Sequence, residues 1–281
     1  MQFLKYHALG NDYLVLDSEK NAPKIISLTA EQASKICNRN FGLGADGILI
    51  GNKDNSGNHF NLKIFNPDGS TAEKSGNGLR IFARFLWDQK LVNLSQFKIM
   101  TTGGLVTAFV ENSGSNVSVE MGEVSFQSDK IPVTGNIREV LKETIDIDGK
   151  QLKFCAATIG NPHCIIMNEV KTQDDVRRIG PLIENHPNFP NRTNVQFLEV
   201  LNRRKIRIEI WERGAGYTLA SGSSSCAAAS VAYRLGLCEN QIEVLMPGGK
   251  IDITINQDYT ILMRGPVTRI GRMSLDPEYL D

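Results

Sequence analysis

The chain aligns with itself, and this internal duplication limits its fold more than any other feature of the sequence. The stretch Asn61 to Gly76 (NLKIFNPDGSTAEKSG) lies over Arg207 to Gly222 (RIEIWERGAGYTLASG) at a constant offset of 146. That offset pairs Leu62 with Ile208, Ile64 with Ile210, Phe65 with Trp211, Ser75 with Ser221 and Gly76 with Gly222. It continues through Leu91 with Leu237 and Met100 with Met246, and a Gly-Gly step follows in each copy, Gly103-Gly104 and Gly248-Gly249. Upstream, Leu9-Gly10-Asn11 matches Ile159-Gly160-Asn161 at an offset of 150. Three blocks in one order describe a single structural unit used twice.

Each copy reads the same way. A strand opens with Gly-Asn and ends in apolar residues, Tyr13-Leu14-Val15-Leu16 or Cys164-Ile165-Ile166-Met167. A second strand alternates, with Leu62 and Ile64 in one copy and Ile206, Ile208 and Ile210 in the other, the period of a half-buried strand. A polar loop then leads into a helix. In the first copy Leu79, Phe82 and Leu86 fall at helical spacing beside Ile81 and Phe85. In the second, the small residues from Cys226 to Ala229 lead on to Leu235, with Gly236 placed as a C-cap. A helix with such small sides can be wrapped closely by strands. The expected fold is therefore α+β: two pseudo-symmetric lobes, each a central helix wrapped by mostly antiparallel strands. The expected boundaries are 1–121 for the first lobe and 122–266 for the second, with 267–281 returning to the first. Pro132–Asp148 and Lys171–Pro190 read as variable connections and outer helices, and Asp174–Ile179 as a short helix.

Composition narrows the function. Lys plus Arg and Asp plus Glu both total 31, so no basic stripe or acidic tail points to nucleic acid or a membrane surface. No run approaches the roughly 20 apolar residues of a membrane helix, and Met1–His7 lacks the layout of a signal peptide. The five cysteines share no metal-type spacing and read as reduced thiols of a cytoplasmic protein. A small, locally charged ligand fits this chain best.

Both copies place Ser-Gly at a helix start, Ser75-Gly76-Asn77-Gly78 and Ser221-Gly222-Ser223. Such a start offers backbone N–H groups at the positive end of a helix, where a carboxylate or phosphate binds, and glycine permits close approach. Serine is also a common N-cap, so spacing alone leaves both roles open. The symmetric recurrence favours a functional role, with two helix ends clamping one carboxylate. Arg213 suits a bidentate carboxylate pair and Glu212 could orient a catalytic group, although as isolated charges both read as solvated surface. Asn11, Asn66, Asn161 and Asn194 each occupy a turn, where asparagine is common for local reasons. Together with an arginine they suit the zwitterionic end of an amino acid. His163 is a candidate proton partner, and alone it reads as an ordinary buried histidine.

These segments carry a resemblance. His7-Ala-Leu-Gly-Asn-Asp-Tyr13, Phe41-Gly-Leu-Gly-Ala-Asp-Gly47, Phe65-Asn-Pro-Asp-Gly-Ser70 and Ser75-Gly-Asn-Gly-Leu-Arg80 are similar to motifs of the diaminopimelate epimerases. So are Gly160-Asn-Pro-His163, Arg192-Thr-Asn-Val195 and Trp211-Glu-Arg-Gly-Ala-Gly216, and the likeness covers nearly the whole chain. The resemblance implies two-base proton exchange at the α-carbon of LL- and meso-2,6-diaminopimelate, with no pyridoxal phosphate and no metal. It implies that Asn11, Asn66, Asn161, Asn194 and Arg213 hold the non-reacting end of the substrate. Gly76, Asn77, Gly222 and Ser223 would donate backbone N–H bonds to the reacting carboxylate, and His163 and Glu212 would assist the two bases. A homodimer is compatible with it.

The family has a cysteine before each of the two helix-starting glycines, and this chain has Ser75 and Ser221. Tyr217 stands where the family commonly has a small or acidic residue. A thiol titrates near ~8.5 and a serine hydroxyl is far less acidic. Two other readings of the same fold therefore stand beside the epimerase: a racemase or isomerase of another amino acid, and a catalytically silent amino-acid-binding paralogue.

Overall fold

A computed structural model of the chain describes residues 1–16, 28–93, 95–111, 114–167 and 172–280. The chain divides into two compact units, Met1–Val119 with Gly265–Asp281, and Glu120–Arg264.

The first unit opens with the hairpin β1 (Gln2–Ala8) and β2 (Asn11–Leu16), paired antiparallel from Phe3↔Leu16 to Ala8↔Asn11. Its two-residue turn has φ 57° at Leu9 and 90° at Gly10. Positive φ at both turn residues marks the hairpin turn whose twist matches the strands, and it delivers Asn11 at the first position of β2. The chain crosses through α1 (Ala30–Cys37) to β3 (Ile48–Lys53), which runs parallel to β2. β4 (Phe60–Phe65) pairs antiparallel with β3 and with the short β5 (Thr71–Ala72). α2 (Gly76–Asp88) then leads to β6 (Phe97–Thr101), parallel to β4, and the meander closes through β7 (Gly104–Val110) and β8 (Asn116–Glu123).

The second unit repeats this pairing order strand for strand. β10 (Lys150–Thr158) and β11 (Pro162–Met167) form the hairpin, and α3 (Gln173–Glu184) crosses to β12 (Asn194–Asn202), parallel to β11. β13 (Lys205–Glu212) pairs antiparallel with β12 and β14 (Gly216–Thr218), and α4 (Gly222–Arg234) crosses to β15 (Gln241–Met246), parallel to β13. β16 (Gly249–Ile255) and β17 (Thr260–Pro266) complete the meander. One strand is added at the hairpin edge of each unit: β9 (Glu143–Ile147) on β10, and β18 (Thr268–Ser274) on β1. The parallel pairs are those bridged by helices; every other pairing named here is antiparallel.

The central helices are α2 and α4. α2 packs on β1, β2, β3 and β7, and α4 on β10 to β13, β15 and β16. Leu79, Ile81, Phe82, Phe85 and Leu86 are all buried, and so are Cys226 to Ala229 of α4. The two helices bury different volumes of side chain in the same surroundings: phenylalanines in one, alanines in the other.

Two local expectations change. Pro132–Asp148 contains the strand β9 and no helix. The helix expected at Asp174–Ile179 extends to Glu184 through Pro181, beginning at Thr172 with a capping box in which Thr172 accepts from Asp175 N–H. Its last turn is retained because Ile183 is buried and Glu184 accepts hydrogen bonds from Trp211 Nε1 at 2.7 Å and Gly214 N at 3.0 Å. Proline there removes one helical hydrogen bond, a loss these contacts offset. Lys171, where that connection was expected to begin, and Asp281 at the end of the returning tail lie outside the described residues.

Both central helices end in the same way. Gly236 N donates to Tyr233 O and Leu237 N to Ala232 O; Lys90 N donates to Trp87 O and Leu91 N to Leu86 O. These are matched Schellman ends. The residue that must turn left-handed is Gly236 (φ 70°) in one copy and Lys90 (φ 58°) in the other. Lysine meets a Cβ clash there that glycine avoids. Lys90→Gly is therefore expected to stabilise the protein by about 0.5–1 kcal/mol and Gly236→Ala to destabilise it by about 1 kcal/mol, read as opposite shifts of the urea unfolding midpoint.

Candidate active site

Ser75 precedes α2 with extended backbone (φ −138°, ψ 118°), and Ser221 precedes α4 in nearly the same conformation (φ −141°, ψ 126°). Each serine is an N-cap: Ser75 Oγ accepts from Gly78 N at 3.1 Å and Ser221 Oγ from Ser224 N at 3.4 Å. The first-turn N–H groups of Gly76, Asn77, Gly222 and Ser223 have no acceptor within their own helices. Gly76 and Gly222 are buried, as are Asn77 and Ser221. The capping role and the expected functional role thus fall on one hydroxyl, which sits beside a positive helix end.

In the first unit, a line of hydrogen bonds orients two of the candidate amides. Arg80 Nη2 donates to Asn77 Oδ1 at 2.8 Å, Asn77 Nδ2 to Asn11 Oδ1 at 3.0 Å, and Asn11 Nδ2 to Asp46 Oδ2 at 3.0 Å. Arg39 closes the line, bonding Asp46 at 2.7 Å and Asp12 at 2.6 Å, and Lys5 adds an ion pair to Asp12 at 2.8 Å. Burial works to raise the Asp12 carboxyl, but hydrogen bonds from Arg39 and Lys5 outweigh it and hold the group below the usual carboxylate range. Asn11 keeps one lone pair and one amide hydrogen beyond these bonds. Asn66 is not part of this line. It sits in the β4–β5 turn, where its Nδ2 donates to Ser70 Oγ at 2.9 Å.

The second unit places the corresponding groups at matching positions. Asn161 Nδ2 donates to Ser223 Oγ at 3.4 Å, the counterpart of the Asn77–Asn11 bond. His163 Nε2 lies 2.9 Å from Asn161 Oδ1, and a carbonyl oxygen on that side assigns the hydrogen to Nε2. Nδ1 is left buried without a hydrogen bond, as is Gln196 Oε1, while Gln196 Nε2 donates to Ser224 Oγ at 2.9 Å. Burial pushes the imidazole down to about 3, with the charge of Arg213 acting the same way and Gln196 opposing. His163 is neutral at pH 7.

Asn194 is paired in register with His163, and its amide is bonded on both sides: Nδ2 donates to Pro162 O at 2.8 Å and Oδ1 accepts Arg213 N at 3.0 Å. Glu212 ends β13 and accepts from Thr218 Oγ1 at 3.1 Å. The Arg213 guanidinium is exposed and donates to Asn191 O at 3.0 Å. Its loop is held by Glu184, which is buried and takes the Trp211 and Gly214 hydrogen bonds together with Arg192 at 3.0 Å. Tyr217, the unusual residue of this loop, donates to Glu209 at 2.7 Å; burial and that carboxylate push its hydroxyl up to about 12.

Several of these positioning groups were not singled out from the sequence. Asp46, Arg39 and Arg80 act on Asn11 and Asn77, and Glu184 acts on the Arg213 loop. Asp46 lies in the glycine-rich segment Phe41–Gly47 and Arg80 ends the segment Ser75–Arg80, and these were the available signals. Glu184 gave none, since the Trp211 and Gly214 groups it holds are 27 and 30 residues away. Cys226 is buried on α4, five residues beyond Ser221, and that spacing turns it well over 90° from the serine. Among the described residues no group of three or more His, Cys, Asp or Glu is arranged to hold a metal ion, and no helix is long and apolar enough to cross a membrane.

Comparison with known proteins bears on this geometry. A family model described as diaminopimelate epimerase matches residues 3–127 and 155–270. Diaminopimelate epimerase 2 of Nostoc sp. (strain PCC 7120) is 55% identical over 278 residues, covering 99% of this chain and 96% of that protein. Diaminopimelate epimerase of Desulfitobacterium hafniense is 37% identical, covering 96% of each. Among solved structures, a probable proline racemase from Agrobacterium radiobacter K84 superposes with a TM-score of 0.70 at 14% identity, covering 98% of this chain and 93% of that one. A hydroxyproline epimerase from Agrobacterium vitis gives 0.64 at 16% identity, covering 99% and 93%. These structural likenesses carry the fold. The match of the family model along both units, with the sequence identities, establishes that the chain belongs to the diaminopimelate epimerase family.

Proposed function

We propose that the chain is a cofactor-independent isomerase that interconverts LL- and meso-2,6-diaminopimelate, a step of lysine and peptidoglycan precursor synthesis. The observation that carries this reading is the repeated constellation: in each unit an asparagine at the start of the second hairpin strand is hydrogen-bonded to the second residue of a central helix that starts at Ser-Gly. A reaction that takes a proton from one face of a carbon and returns one to the other needs two similar groups, and a duplicated unit supplies them. Ser75 and Ser221 are the two groups in this reading. The helix N-termini beside them stabilise negative charge that develops on the substrate carboxylate as the α-proton leaves, often a large term in such chemistry.

Serine is a weaker proton-transfer group than a thiol, and the helix end is what makes it usable. Charge that passes through Oγ meets the Gly78 or Ser224 N–H already directed at it. His163, neutral at pH 7, contributes by holding Asn161 through Nε2–H. Asn11, Asn66, Asn161, Asn194 and Arg213 would hold the distal amino-acid end, with Asn11 using its remaining lone pair and hydrogen. Glu212 would orient the proton-transfer group of its unit. Five buried cysteines, none in a disulfide, suit a reducing compartment, and the cytoplasm is the proposed location.

Two measurements check this account. Incubation with either diaminopimelate isomer in D₂O, followed by NMR, is expected to show α-proton exchange together with appearance of the other isomer. Tight binding without exchange would favour the silent paralogue, and exchange only with another amino acid the related racemase. The second concerns pH. The folded His163 titrates below its unfolded value of ~6.5, so the unfolded chain binds its proton first and stability falls as pH drops from there toward 3. The slope from this residue approaches about 1.4 kcal/mol per pH unit. His163→Gln is therefore expected to lose on the order of 3 kcal/mol less than the parent between pH 6.5 and 4 in urea titrations. Parallel stability curves would contradict the buried neutral imidazole.

A further inference from the structure

The internal duplication gives His163 a counterpart that the site as described does not use. At the offset of 150 that aligns Asn11 with Asn161, His163 matches Tyr13. Both are buried near the start of equivalent strands, β2 and β11, two residues after Asn11 and Asn161. Tyr13 Oη lies 3.2 Å from Ser75 Oγ, and either atom can be the donor.

The ring that carries this hydroxyl is held in place. A Cβ built on Gly47 would come within 2.5 Å of Tyr13 Cε1 and of Phe65 O, so glycine at 47 is what leaves room for the ring. Gly47 O accepts from Leu14 N at 3.1 Å, which fixes the backbone next to Tyr13. On the other side, Asp12 is fastened by Arg39 and Lys5. A tyrosine packed this way has little freedom to move its oxygen away from Ser75.

We propose that Tyr13 is the first-unit counterpart of His163, a positioning residue whose hydroxyl fixes the direction of the Ser75 hydroxyl. The proposal rests on the reading of Ser75 as a proton-transfer group. A serine oxygen has one hydrogen and two lone pairs. Gly78 N–H occupies one lone pair. When Tyr13 donates to the second, the serine hydrogen is the one direction left and is presented for transfer. When Ser75 has given its hydrogen up, Gly78 N–H and Tyr13 O–H hold two of the three lone pairs of the alkoxide, and the third is left to receive a proton and restore the hydroxyl. One contact thus sets a single direction for giving and for receiving, as a group acting in both directions of a reversible reaction requires. Without it the hydroxyl rotates among its staggered positions.

The test has two arms. In the first, Tyr13→Phe keeps the ring and removes the oxygen. The expected result is a kcat for diaminopimelate interconversion lowered about 5- to 10-fold, the size of one neutral hydrogen bond, with KM and the unfolding midpoint little changed. An unchanged kcat overturns the proposal. The second arm is independent of turnover. Ser75→Cys places a thiol at the position, and the natural cysteines Cys37, Cys155, Cys164, Cys226 and Cys238 are all buried, so iodoacetamide reports on the new one. A hydroxyl donating to a thiolate lowers its titration midpoint. Adding Tyr13→Phe to that variant is expected to raise the midpoint and slow alkylation at pH 7.5 about 3- to 10-fold. Identical alkylation profiles overturn the proposal whatever the activity. A shifted profile in a protein that exchanges no α-proton upholds the contact and retires the epimerase reading instead.

Discussion

A hydrogen bond from the first turn of each central helix back to the serine before it fixes where that helix begins. Ser75 Oγ accepts Gly78 N–H and Ser221 Oγ accepts Ser224 N–H. Because the helix starts there, the N–H groups of Gly76 and Asn77, or of Gly222 and Ser223, form its positive end. The serine oxygen is tied to that end by its capping bond. The surrounding strands exist to hold this point still. In each unit the parallel strand pairs flank the helix crossovers, and Asn11 or Asn161 bonds the second helical residue. Loss of the cap is expected to cost about 1 kcal/mol and to leave the rest of the helix, with its N-terminal N–H groups, in place.

Holding the proposed proton-transfer group as a helix cap has a chemical consequence. An oxygen that already accepts a helix N–H bond is biased toward carrying negative charge. The effect is modest for a thiol, which is acidic without help, and more important for serine. Polar groups that elsewhere would be incidental acquire a purpose around it. Arg80, Asp46 and Arg39 orient amides in the first unit, and in the second a neutral His163 holds Asn161 while Glu184 anchors the Arg213 loop. The two halves reach equivalent positions with different chemistry, Tyr13 in one and His163 in the other, as a duplicated unit does once its copies evolve separately.

The fold was legible because duplication doubled every signal. The alternation of Ile206, Ile208 and Ile210 is matched by Leu62 and Ile64, and both sets are buried on one face of β13 and β4. The helices at Leu79–Leu86 and Cys226–Leu235 were readable from spacing, and Gly236 marked its end correctly. Lys90, its equivalent, gave no such mark, because lysine adopts a left-handed conformation only where the fold imposes it. The strand β9 was not legible, since Glu143–Ile147 is an edge strand with mixed residues whose partner, β10, supplies the pattern. At the site, residue types and order were readable in Ser75, Asn77, Asn161 and His163. Their supports were not, because Asp46 and Glu184 act through contacts made only after folding. Tyr13 was hidden for a related reason: in a strand it reads as an apolar residue, and its hydroxyl has meaning only beside Ser75.

In the proposed mechanism, serine at two equivalent positions moves the proton. The most direct measurement is the interconversion rate of Ser75→Ala and Ser221→Ala, made separately, alongside calorimetric binding of diaminopimelate. Removal of a placed proton-transfer group is expected to lower kcat by ~10²-fold or more in each variant while binding persists. A variant that retains the parent rate would contradict the account and place the proton transfer on another group.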